Sequence, residues 1–309
     1  MSRTGTPRPA AEHGAALITA MLIVTIVTLL CASMLWDVNL TIRRSGNMLA
    51  SDQALQYALG AESWARDSLR TDGQETDVDH RNEVWASALP ALPIEGGVIE
   101  GRLVDLHSRF NINNLIGADG EPNEAVLEQF QRLLDALGLD RRVAMAAADW
   151  VDAGPDPVLE GAEDDFYTER DPPYRPPNVA LTSATEMLAV EDMGIEAWRV
   201  LRPHVTALPG GTPVNVNTAT PAVLQAIGDV VDANEARAIF EQAGTTPFEG
   251  VEELGGRLGE GAGSADVRSD FFQLEVRVTL GATLFTMYSL LERDRSANVW
   301  TRFRSFYTE

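Results

Sequence analysis

The chain contains no lysine: all 24 of its basic residues are arginine, set against 46 acidic residues, for a net charge of −22 over 309 residues. So acidic a surface repels phosphate backbones and anionic lipid surfaces, which excludes non-specific nucleic-acid binding as a function class. The same surface is compatible with divalent cations. Cysteine is nearly missing too. Cys31 stands alone inside an apolar segment, so no intrachain disulfide, cysteine zinc site or dithiol redox motif is possible, and the compartment stays open. Histidine is scarce. His13, His80, His107 and His204 form no HExxH, and neither a G-x-S-x-G elbow nor a Walker loop occurs. His107-Ser108 reads as a polar pair at a strand end. Hydrolytic chemistry has no motif to rest on, and the chain is read as non-enzymatic.

What is present begins at the N-terminus. A short polar stretch, residues 1–14, runs directly into 22 uncharged and mostly apolar residues, 15–36. About 20 apolar residues as a helix span a bilayer, with every backbone group satisfied internally. Thr19, Thr25, Thr28 and Ser33 are tolerated there because their hydroxyls bond back to the preceding turn. A secretory signal is cut after its apolar core. Here the small-residue junction, Gly14-Ala15, precedes it, so cleavage at Gly14 leaves the apolar helix on the mature chain. Arg3 and Arg8 on one side balance Arg43 and Arg44 on the other, and charge alone leaves the orientation undecided.

From Asp37 to about Leu69 the pattern stays helical. Leu40, Leu49, Leu55, Leu59, Trp64 and Leu69 form the expected packing stripe, Gly46 is a weak point, and Thr71–Glu75 reads as a polar turn. Residues 97–106 alternate as a strand. Residues 111 to 258 read as mostly helical, with helices at 124–137, 141–150, 183–190, 195–201, 220–227 and 233–242. Residues 271–280, 283–293 and 299–307 are rich in β-branched and aromatic types and read as an antiparallel meander. One early strand, three late strands and a helical block between them imply an α+β sheet domain with a helical domain inserted. Within the block, Phe110-Asn111-Ile112-Asn113 and Val214-Asn215-Val216-Asn217 each open a helical hairpin. The echo is either an internal repeat or a chance likeness of two small hairpins.

Two segments suggest binding. Residues 149–171 hold nine carboxylates opposed by Arg170 alone, punctuated by Gly and Pro as a loop would be. Such a loop suits calcium, which takes six to eight oxygen ligands, better than magnesium with its strict octahedron. The spacing is not that of an EF-hand. A solvated acidic loop without metal is the competing reading. Residues 214–254 resemble a helix-hairpin-helix unit, but the turn reads Ile227-Gly228-Asp229-Val230 and only Arg237 stands near it. Phosphate binding needs cations and free amides, so a structural hairpin is favoured.

Several separated motifs resemble the GspK family, the large minor pseudopilins of type II secretion systems. They are Gly14-Ala15; Ile42-Arg43-Arg44; Ala58-Leu59-Gly60-Ala61-Glu62 with Trp64; Arg109 to Asn113; Asp149-Trp150-Val151-Asp152; Gly161 to Asp164 with Pro172-Pro173-Tyr174 and Asn178; and Val214 to Ala219. Their order covers nearly the whole chain. The resemblance implies a prepilin leader (1–14), a transmembrane helix (15–36) and the first part of a pilin domain (37–110). A mostly α-helical insertion follows (111–266), of SAM-like or helix-hairpin-helix-like units at 111–205 and 206–266. The C-terminal strands of the pilin domain (267–309) complete the chain. It also implies cleavage after Gly14 by the prepilin peptidase, methylation of Ala15, a cytoplasmic N-terminus in the inner membrane and a periplasmic bulk.

Implied partners are GspI and GspJ at the pseudopilus tip, with GspH, the major pseudopilin and the inner-membrane assembly platform. The resemblance further implies calcium, one or two ions, with ligands among Asp152, Asp156, Glu163, Asp164, Asp165 and Asn178. Most pilin-like subunits carry Glu at the fifth mature position, where this chain has Thr19. A buried membrane carboxylate is costly unless paired. A subunit with none beyond it lacks the pairing amine, so Thr19 marks a tip subunit. The alternative function is a membrane-anchored, calcium-dependent binding module outside any filament.

Overall fold

The computed structural model describes residues 12–154 and 164–308. Helix α1 (Glu12–Glu75) is 64 residues long. Among the described residues nothing packs against its first half: Leu17, Ile23, Val27 and Leu35 are all exposed. The hydroxyls there bond back as expected, Thr25 to the Met21 carbonyl at 2.8 Å, Thr28 to Val24 at 2.7 Å and Ser33 to Leu30 at 2.9 Å. Thr19 does the same toward Ala15 and Ala16.

The second half of α1 lies on a five-stranded antiparallel sheet ordered β1-β2-β7-β8-β9. Strands β1 (Leu89–Ile94) and β2 (Gly97–Asp105) precede the insertion; β7 (Phe271–Leu280), β8 (Thr283–Arg293) and β9 (Val299–Phe306) follow it. The register of β2 on β7, Gly97 opposite Leu280 through Asp105 opposite Phe272, closes the sheet across the whole insertion. Alternation on β7 turns Phe272, Leu274, Val276 and Val278 toward the helix. Gly97 is required at the start of β2, because a Cβ would lie 1.7 Å from the Thr279 carbonyl oxygen.

The packing stripe of α1 differs from the expected one. The fully buried positions are Ala54, Ala58, Ala65 and Leu69, while Leu49 and Trp64 face out. Small side chains let the helix axis approach the sheet, whose own large residues fill the interface. The polar segment Thr71–Glu75 is also not a turn but the end of α1. Strand β1 had no sequence signal because Pro90 and Pro93 lie in it, which only an edge strand tolerates.

The insertion has its own core, built from residues between Phe110 and Val267. It runs β3 (Phe110–Asn111), α2 (Glu124–Ala136), α3 (Arg142–Val151), α4 (Asp164–Thr168), α5 (Ile195–Leu201) and β4 (Val205–Thr206). Then come β5 (Val214–Asn215), α6 (Pro221–Ile227), α7 (Ala233–Thr245) and β6 (Ala265–Asp266). Ala184–Ala189 forms a 3-10 turn where a short α-helix was expected, with Ser183 and Glu186 closing a capping box.

The two N-x-N motifs do the same work twice. β3 pairs in parallel with β4, and β5 in parallel with β6. Asn113 accepts from the Leu181 N–H at 2.7 Å and donates to its carbonyl at 3.0 Å. Asn217 clasps Phe248 in the same way, at 2.8 and 3.0 Å. Each asparagine fixes the far return of its own hairpin.

Candidate metal loop and buried ionic junction

The acidic stretch begins inside a helix. Asp149 is buried on α3, and Asp152 caps that helix with its Oδ1 accepting from the Gly154 N–H at 3.2 Å. Asp164 and Asp165 lie on α4, so the stretch is not a continuous loop. Aromatic packing fixes its flanks. Trp150 stands edge-on to Tyr167 at 5.2 Å, and the Tyr174 hydroxyl donates to the Ala189 carbonyl at 2.8 Å.

Of the six expected ligands, Asp152 and Asn178 are brought together at Gly154, whose carbonyl accepts from Asn178 Nδ2 at 2.9 Å. Asn178 takes a left-handed backbone (φ 48°), and its buried Oδ1 has no hydrogen-bond partner among the described residues. Burial and the nearby Glu121 push the Asp152 carboxyl up. Asp165 is exposed on α4, and Asp156 and Glu163 lie outside the described residues, as does the side chain of Asp164. Both side chains offer oxygen donors of the type calcium takes, two of the six to eight it needs.

A second polar centre, unanticipated from sequence, joins the sheet domain to the insertion. Arg293 at the end of β8 is 1% exposed. It donates to both oxygens of Asp79 at 2.6 Å, to Asp72 at 2.8 Å and to the Leu69 and Ser269 carbonyls. Asp79 accepts from the Ser269 N–H at 2.7 Å, and its own N–H donates to the Val267 carbonyl. From the insertion, Asn215 Nδ2 donates to the Asp79 carbonyl at 3.1 Å, to Asp105 at 3.2 Å and to Ser269 Oγ at 2.9 Å. Thr218 donates its hydroxyl to Asp105 as well. His107 is buried with Nε2 accepting from the Asp270 N–H, which leaves it a neutral structural group.

Asp72, Asp79 and Glu83 place one carboxylate oxygen each within 4.8 Å of one another, but Arg293 already pairs with Asp72 and Asp79. Burial pushes Asp79 up to about 6 and Glu83 up to about 7. A raised folded-state value stabilises the fold below the unfolded value, and that stability is lost as pH rises through the folded one. Thermal stability is therefore expected to fall between pH 4.5 and 7. In Glu83→Gln the pH dependence is expected to flatten by on the order of 1–2 kcal/mol, after a discount for residual solvent screening at a side chain 8% exposed. Calorimetric melting at pH 5, 6, 7 and 8 checks it; parallel curves for both proteins would refute the assignment.

A membrane-length helix stacked on an antiparallel sheet, with a helical domain inserted between strands, defines a pilin-like subunit. The chain belongs to the type II secretion system protein K family. Two family profiles described as type II secretion system, protein K match residues 108–210 and 214–274. The type II secretion system protein K of Pseudomonas aeruginosa is 34% identical, over 93% of this chain and 91% of its own. That of Pectobacterium carotovorum is 28% identical, over 91% and 92%. Among solved structures, the GspK-GspI-GspJ complex of enterotoxigenic Escherichia coli contains a chain that superposes with a TM-score of 0.76 at 24% identity. It covers 86% of this chain and all of that one, a likeness of fold.

Proposed function

We propose that this chain is the minor pseudopilin that sits at the tip of the periplasmic pseudopilus, with no catalytic activity of its own. Family membership supports the class. The observation that carries the tip placement is the pairing of Thr19 with a bulky insertion at the far end of α1. A carboxylate is missing where a subunit above would have to supply its partner.

In this reading the prepilin peptidase cuts after Gly14 and the Ala15 amine is methylated. Residues 15–36 cross the inner membrane with the N-terminus cytoplasmic. The folded domains lie in the periplasm with GspI- and GspJ-type subunits, followed by GspH, the major pseudopilin and the assembly platform. Co-expression of the full-length chain with its GspI- and GspJ-type subunits, purified in detergent, is expected to yield a complex whose K subunit begins at Ala15 by mass. A monomeric chain with Met1 intact would overturn the reading.

Calcium belongs to the same proposal. Asp152 and Asn178 would hold it together with carboxylates of the 156–165 segment, and bound calcium would cross-link the return of α4 to the end of α3. Addition of calcium after chelation is expected to raise Tm, because a ligand at about 1,000 times its Kd stabilises the native state by about 4 kcal/mol. Asp152→Asn should lose most of that rise. An unchanged Tm in the wild type would remove calcium from the account.

A further inference from the structure

We propose that the 76–88 linker is a proton-held joint: one proton shared between Asp72 at the end of α1 and Glu83 of the linker fastens the two together, and its loss releases the linker's grip on the insertion.

The cluster at this joint is short of positive charge. Arg293 bonds to Asp72 and Asp79. Glu83, with its side chain 8% exposed, instead meets Asp72 carboxyl to carboxyl through a hydrogen bond. Such a bond needs a hydrogen, so one of the two is a protonated acid. Arg293 favours the charged form of Asp72, which leaves the proton to Glu83. Glu83 Oε2 accepts from the His80 N–H at 3.1 Å and from Trp85 Nε1 at 2.5 Å, so its other oxygen carries the proton. The charged and titratable groups around it are Asp72 from α1, Arg293 from β8, and Asp79 and His80 from the linker, with Asp105 behind Asp79. Arg268 at the rim is paired with Asp77 and Asp270. Burial, aided by the charges of Asp72 and Asp79, pushes Glu83 up to about 7.

Glu83 also shapes the turn that reaches the insertion. Its side chain takes the His80 N–H, and its own N–H donates to the His80 carbonyl at 3.3 Å. From the tip of that turn Arg81 donates to the Asn217 and Phe240 carbonyls and lies over the Phe240 ring at 3.7 Å. Asn82 donates to the Gly244 carbonyl at 2.9 Å. Once the proton leaves, Asp72 and Glu83 are like charges in contact. Glu83 gains solvent by swinging out, and the turn that presents Arg81 and Asn82 to α7 opens with it.

The test is amide hydrogen exchange on the full-length chain in detergent, with metals chelated, at pH 6, 7 and 8, read as protection factors. In the open joint Glu83 ionises at its ordinary value, so opening releases a proton and is favoured as pH rises to the closed value. Protection at His80, Glu83 and Ala86 is expected to fall about tenfold from pH 6 to pH 8 while staying below that of β7. Glu83→Gln keeps a donor toward Asp72 and an acceptor for Trp85, and is expected to hold protection within about threefold over the same range. Asp72→Asn takes its place, with the same expected flattening, if that variant does not fold; if neither folds, the wild-type result decides alone. Protection that rises with pH would transfer the titration to His80, which burial lowers, and overturn the proposal. So would an unchanged wild type, a fall that survives Glu83→Gln, or linker protection equal to that of β7 at every pH.

Discussion

Arg293→Met is expected to destabilise the folded domains by about 3–5 kcal/mol, the loss typical when one partner of a buried ion pair is removed. Methionine roughly preserves the volume of the side-chain stem, so the effect isolates the guanidinium. Its removal strands Asp79, itself 1% exposed, and frees the Leu69 and Ser269 carbonyls at once. At about 2–4 °C per kcal/mol for a domain of this size, Tm should fall by roughly 6–20 °C. Because Arg293 ties the end of α1 to the 76–83 linker and, through Ser269 and Asn215, to the insertion, proteolytic cutting between residues 76 and 88 should rise in parallel. The double variant with Asp79→Asn should recover part of the loss, since the uncompensated carboxylate is gone, and the cycle measures the coupling. A loss below about 1 kcal/mol would mean that the junction is held by the apolar contacts alone.

What the sequence made legible were features carried by local periodicity. Strands β2, β7, β8 and β9 and helices α2, α3, α5, α6 and α7 follow from alternation or amphipathic spacing within short windows. The membrane segment needs only length and composition. Features that depend on distant partners were hidden. Alanine packs the stripe of α1 because the sheet supplies the bulk, and a leucine-weighted pattern cannot show that. Arg293 meets Asp72 and Asp79 more than 200 residues away. One signal was available: the repeated N-x-N, whose second asparagine clasps a distant backbone in both hairpins. A lone Glu62 among Ala58, Ala61 and Ala65 was another, since a carboxylate on an alanine-lined helix face needs a partner across the interface. In the acidic stretch, Asp152 and Asn178 both bond to Gly154, a link between distant residues that spacing could not show, while the helical character of residues 164–168 was masked by the density of acids.

Glu62→Ala is the second large effect, and it tests how α1 is registered on the sheet. The carboxylate is 3% exposed on the buried face of the helix. It accepts from Ser289 at 2.7 Å, from Thr301 at 2.8 Å and from Arg304 Nε and a terminal nitrogen at 2.7 and 2.8 Å. Burial favours the neutral acid, but the bonds from Arg304, Ser289 and Thr301 outweigh it and hold the carboxyl below its usual range. A lowered value stabilises the fold above the unfolded value of about 4.5, and that stability is lost as pH falls through the folded one. Removing the acceptor should cost about 2–4 kcal/mol at pH 7. The figure stays below that for Arg293 because Arg304 reaches solvent and can be rehydrated, whereas Ser289 and Thr301 cannot be fully. The difference between variant and wild type should shrink below pH 4, where the wild-type carboxylate takes up its proton. Glu62→Gln, which keeps one acceptor oxygen, turns the other into a donor amide and removes the charge, should fall between them. Melting curves from pH 3 to 7 separate these outcomes, and a pH-independent deficit would show that Glu62 acts through packing rather than charge. If the ionic account holds, α1 cannot slide by one turn on β8 and β9 without burying this charge unpaired. The membrane half of the helix and the β9 edge would then keep one fixed relation.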